Sequence, residues 1–158
     1  MKMRQNDFNT RKIHPGKMER TTEATLFEAV CAMLVVLTWI IVGALCLKSG
    51  TELTSATRNN LIIKELTCTV LVALMLYYAY YPTRRVATHL MIKNFRQMQI
   101  ASRMIRILAV VIALGELFYA IMTATGDVKT YFGFVLACIV ALFVTLVVFN
   151  FLIYKAGK

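Results

Sequence analysis

The chain is predicted to be an all-α integral membrane protein, a four-helix bundle with a basic amphipathic cytoplasmic helix between spans two and three. Three observations predict this. Of 158 residues, 59% are hydrophobic and only 16% charged, too apolar for an ordinary water-soluble chain of this length, and the mean hydropathy is +0.66. The apolar residues gather into four long runs. The 18 Lys and Arg, set against 8 Asp and Glu for a net charge of +10, lie almost wholly outside those runs.

The first run, AVCAMLVVLTWIIVGALCL at residues 29–47, has nineteen residues and no charge. At about 1.5 Å of rise per residue it nearly covers a hydrocarbon core roughly 30 Å thick, so a span is expected over about 27–48. It is not expected to be a cleaved signal, because a basic, polar leader precedes it and no small-residue cleavage site leads into a soluble domain. The second run, LTCTVLVALMLYYAYY, stops at Pro82 and has only sixteen residues. It reaches spanning length, about 62–81, if Leu61, Ile62 and Ile63 join it and Lys64 snorkels outward. The third, ILAVVIALGELFYAIMTAT, covers about 106–125 and is interrupted only by Glu116. The fourth, YFGFVLACIVALFVTLVVFNFLIY at 131–154, is long enough to predict some tilt.

Domain organisation follows from these runs. Residues 1–25 read as a flexible basic cytoplasmic tail, with few large apolar residues and a Pro15-Gly16 breaker, and 26–158 as the four-span domain. Thr22 and Thr25 are the candidate N-caps of the first helix. Fourteen of the eighteen cations fall in the leader, the 83–106 connection and the C-terminal tail, which sets all three on the cytoplasmic side by the positive-inside rule. Tyr77, Tyr78, Tyr80 and Tyr81 then form an aromatic anchor at that end of span two, and Tyr154 does so for span four.

In the 83–106 connection, Leu90, Met91, Phe95, Met98, Ser102 and Ile105 recur at helical spacing, while Lys93, Arg96, Gln97 and Arg103 crowd another side. Such a helix either lies in the membrane interface or extends span three. With Arg84, Arg85 and Arg106 its cations Lys93, Arg96 and Arg103 are expected to meet anionic lipid headgroups or a partner protein. The positive charge is explained by topology, and no recognition motif accompanies it, so no nucleic-acid partner is expected.

Glu116 is the residue that composition does not excuse. It stands at the middle of span three, where an ionisable group costs about 2.5 kcal/mol or more on insertion scales. Three readings stay open: a carboxyl bonded to a neighbouring helix, with Gly115 permitting close approach; a proton or cation relay; and the partner of a Lys or Arg in another subunit. No cation of this chain is expected at that depth. Asn150, toward the inner end of span four, is the best further candidate for an interhelical hydrogen bond.

Enzymatic chemistry finds no support. His14 and His89 are not paired on a helix face, no acidic cluster faces the cytoplasm, and no GxSxG, glycine-rich phosphate loop or HExxH occurs. No catalytic residue, metal or cofactor is expected. Cys31, Cys46, Cys68 and Cys138 fall inside the spans as small apolar residues; Cys46 and Cys68 lie toward the same surface, but their positions do not establish that they meet.

The passage from Tyr81-Pro82 through Asn94, Gln97 and Arg103-Met104-Ile105-Arg106 into span three resembles the second half of certain small bacterial membrane proteins related to the SdpI type of peptide-toxin immunity proteins. The resemblance covers about forty residues, carries no catalytic residue, and implies a bacterial inner membrane and, as one alternative, an immunity-type protein. From the residues themselves, the expected function is that of an accessory or partner-binding subunit of a membrane assembly, with other membrane subunits or further copies of the chain as partners. A small oligomeric transporter or channel using Glu116 is the alternative.

Overall fold

The computed structural model describes residue 18 and residues 20–48, 55–82, 92, 95–125 and 128–157. Four helices follow one another: α1 (Thr22–Lys48), α2 (Ser55–Ala79), α3 (Phe95–Thr125) and α4 (Val128–Lys155). Each is long and apolar enough to cross a membrane, the build of an integral membrane protein. All four extend beyond the apolar runs at their N-terminal ends, because helical hydrogen bonding continues after the side chains turn polar.

The helix ends have local causes. The Ala24 N–H donates to Thr21 Oγ1 at 3.2 Å and the Thr25 N–H to the Thr21 carbonyl at 3.0 Å, so Thr21 is the cap of α1, and the expected caps Thr22 and Thr25 lie inside the helix. α2 stops at Ala79, two residues before the expected end of its span. The Tyr80 and Tyr81 amides turn back to the Tyr77 and Tyr78 carbonyls in a tighter turn, since Pro82 disfavours helical geometry in the residue before it.

α3 has 31 residues, about 46 Å of helix, and outreaches a hydrocarbon core of roughly 30 Å. Of the segment expected to form an amphipathic helix, the part from Phe95 onward is the beginning of α3 itself. Apart from Ile92, the rest of that segment, with Arg84, Arg85 and Lys93, and the 1–17 leader lie outside the described residues.

α3 is the hub. It packs against α1, α2 and α4, while α1 and α2 touch each other far less and, among the described helices, α4 touches only α3. Three buried clusters stack along it: Ala79, Ala101, Met104, Ile105, Leu108 and Ile153 at the end carrying the tyrosines; Cys31, Leu34, Val72, Ala109 and Ala113 in the middle; Val42, Leu61 and Ala120 toward the opposite end.

The three helices of this sheaf meet along seams spaced alternately by four and three residues, the spacing of coiled-coil packing. On α3 the seam is Ser102, Arg106, Ala109, Ala113, Glu116 and Ala120; on α2 it is Leu61, Glu65, Cys68, Val72, Met75 and Ala79; on α1 it is Ala24, Glu28, Cys31, Val35, Thr38 and Val42. Every seam residue is buried or half-buried. Small residues let the backbones approach where apolar contact alone gives no advantage over lipid.

Candidate functional site

These seams put ionisable side chains between helices. Toward the end opposite the tyrosines, Lys64 reaches Glu116: Lys64 Nζ lies 3.7 Å from Glu116 Oε2 and 3.0 Å from the centre of the Tyr119 ring. Lys64 therefore does not snorkel outward, and the cation at the depth of Glu116 comes from this chain, not from elsewhere. The physical reason is register. Nine residues, about 13 Å of helix, separate Glu116 from the end of α3 at Thr125, and nine separate Lys64 from the start of α2 at Ser55, so the two antiparallel helices set them at one level.

Glu65, next in sequence to Lys64, is the most deeply buried of the three, at 4% exposure, and its carboxyl lies within electrostatic range of the Glu116 carboxylate and the Lys64 ammonium. One turn on, the Cys68 thiol adjoins Glu116. Thr69 Oγ1 donates to the Glu65 carbonyl at 2.9 Å and accepts from the Trp39 indole at 3.0 Å, which ties α1 to α2 beside the cluster. The group holds two carboxylates and one ammonium, with an aromatic face on the cation.

At the tyrosine end the pattern is repeated with other residues. Glu28 on α1 accepts from the Tyr80 hydroxyl and from Arg20 Nη2, the latter at 2.8 Å. Burial, joined by Glu28 as hydrogen-bond acceptor and negative neighbour, pushes the Tyr80 phenol above its ordinary range, against the opposing pull of Arg106 and Arg20. The Arg106 guanidinium stands 5.2 Å from the centre of the Tyr80 ring; the residue is only 4% exposed, and its Nε has no hydrogen-bond partner among the described residues. Ser102 Oγ donates to the Ala79 carbonyl at 2.5 Å, and the Gln97 amide donates to the Ile153 carbonyl at 3.0 Å, joining α3 to α2 and α4. Arg20, Glu28, Tyr77, Tyr80 and Tyr81 line an open cavity of about 310 Å³.

The residues expected from the sequence are thus dispersed. Glu116 joins the Lys64 cluster. Asn150 is exposed on the outward side of α4 and meets no other helix. Arg96 is exposed, and Arg103 is exposed but held by Glu23 through Nε at 3.1 Å and Nη2 at 2.7 Å. Arg106, expected at a headgroup or partner surface, is buried instead, because it occupies the α3 seam two turns along from Gln97 and Met98 and lies behind Tyr80. Lys64, Glu65, Glu28 and Tyr80 are additions. The sequence signal for Glu65 and Glu28 was the alternating four-and-three spacing, which puts Glu65 in register with Leu61, Cys68 and Val72, and Glu28 with Ala24 and Cys31.

Among the described residues no three His, Cys, Asp or Glu side chains are grouped closely enough to hold a metal ion, and Cys31, Cys46, Cys68 and Cys138 are all free thiols. Gly115 is the close-approach point between α3 and α4: a Cβ there would lie 3.7 Å from Cys138 Sγ, and one turn away Phe118 and Phe134 stack with centroids 3.8 Å apart. No protein-family model, curated protein or solved structure matches the chain.

Proposed function

We propose that the chain is a non-enzymatic integral membrane protein that serves as an accessory, partner-binding subunit of a membrane assembly. The supporting observation is α4. Among the described helices it packs on α3 alone, and its open side carries Phe143, Val147, Asn150 and Phe151 on neighbouring turns. Lipid satisfies the apolar members of this surface but gives the Asn150 carboxamide nothing to bond, whereas a second transmembrane helix gives it a partner. We assign the protein to a bacterial inner membrane with both termini cytoplasmic; the distribution of cations and the even number of spans favour that orientation.

Extraction from native membranes in a mild detergent, followed by mass spectrometry, tests this reading. A distinct membrane protein should co-purify, and Asn150→Leu should weaken its recovery. Recovery of only the single chain or its homo-oligomer would refute the proposal.

A second reading, a small oligomeric transporter or channel, is favoured by the group of Lys64, Glu65 and Glu116 within the spans. In a low dielectric its surplus carboxylate calls for a proton or a cation, the feature that intramembrane relays share. Reconstituted Glu116→Gln protein should then lose pH-dependent flux, and unchanged flux would remove this alternative.

A further inference from the structure

The cavity at the tyrosine end is built unlike the rest of the surface. Its walls are the second turn of α1 with Arg20 from just before the helix, and the last turn of α2 with the residues just after it: Arg20 and Glu28 on one side, Tyr77, Tyr80 and Tyr81 on the other. Arg20 spends only Nη2 on Glu28 among the described contacts and is 65% exposed, so the rest of its donor edge faces outward. Behind the Tyr80 ring lies the buried Arg106, whose Nε has no partner among the described residues. Two guanidinium groups against one carboxylate leave the neighbourhood positive. Tyr77, nearly half exposed, adds a phenol, and its ring packs edge-on against Tyr78.

Three features fix the class of ligand. Positive charge with hydroxyl donors suits a phosphate ester, which offers several acceptor oxygens to a forked cation. A volume of about 310 Å³ suits a headgroup, not a whole lipid. The cavity also stands at the head of the line between α1 and α2, the least tightly packed pair of neighbours in the sheaf, and tyrosines of this kind sit where hydrocarbon meets water. We propose that this cavity is a binding site for the phosphate of an anionic membrane phospholipid, whose acyl chains descend beside α1 and α2. Arg20 and Tyr77 bind the phosphate, and Arg106 supplies positive potential from behind.

The test uses the full chain in a non-ionic detergent, with dioleoylphosphatidylglycerol as probe and native mass spectrometry and thermal unfolding as readouts. The chain should retain one phosphatidylglycerol and unfold at a higher temperature as the lipid is titrated in. Inorganic phosphate and dioleoylglycerol, each lacking half of the ligand, should bind at least about tenfold more weakly. Arg20→Gln should lower phosphatidylglycerol affinity about tenfold, the size of one lost charge-assisted hydrogen bond, while Lys155→Gln, an exposed cation at the same end, should leave it unchanged. Three results would overturn the proposal: no saturable binding, equal losses in the two variants, or inorganic phosphate binding as tightly as the lipid.

Discussion

The Lys64 ammonium is held between the Glu116 carboxylate, 3.7 Å away, and the face of the Tyr119 ring, joining α2 to α3 within the apolar part of both helices. A single charge there is costly, and the pair answers that cost from within the chain. Their coupling is measurable. Lys64→Met should destabilise the protein by about 2 kcal/mol, because it leaves two carboxylates without a cation, and Glu116→Leu by about 1 kcal/mol, because Glu65 still faces the ammonium, while the double variant should lose less than the sum by about 1 kcal/mol or more. Unfolding of the four proteins in a detergent series gives the cycle, and simple additivity would mean that the two groups do not interact.

Tyr80 should ionise only above the ordinary range of a tyrosine. Its phenol lies above the ordinary value of about 10 in the folded protein, so its contribution to stability is complete below pH 10 and is lost as pH rises through the folded-state value. Ultraviolet titration of the wild type minus Tyr80→Phe isolates this group. A difference curve centred at or below pH 10 would show the Glu28 contact to be absent in the membrane protein.

Trp39 is the only tryptophan, which makes its indole bond to Thr69 directly observable. Thr69→Val keeps the shape of the side chain and removes the acceptor. Emission of Trp39 should move to shorter wavelength, with a stability loss of about 1 kcal/mol. An unchanged spectrum would place the indole elsewhere.

Gly115 separates two effects of size. Gly115→Ala adds a Cβ at an ordinary contact distance from Cys138 and should be tolerated, whereas Gly115→Leu must push α4 away from α3 and unstack Phe118 from Phe134, at about 1–3 kcal/mol. Thermal unfolding of both variants checks the contrast, which fails if Ala and Leu behave alike.

Much of the architecture was legible because the bilayer imposes lengths. Runs such as residues 29–47 have no other use in a chain this small, and the unexcused Glu116 stood out within its run. The seams were not legible from hydrophobic periodicity, since the lipid-facing sides of these helices are more apolar than the sides that face one another. Arg106 and Glu65 show the consequence. Arg106 belongs by sequence to the basic 83–106 connection and Glu65 adjoins Lys64 ahead of the second apolar run, yet each occupies the buried side of its helix, in step with Ala109 and Ala113 or with Leu61 and Val72.

By itself, the sequence determined that four helices are long and apolar enough to cross a membrane, because span length and charge exclusion are properties of a segment and its solvent. Tertiary structure alone decided that α3 is the hub, that α4 has one neighbour, that Lys64 turns inward to Glu116 and that Arg20, Glu28, Tyr80 and Arg106 meet at one end. Those relationships depend on the rotation and height of one helix against another. They are set by where small residues allow close approach, and no single segment contains that information.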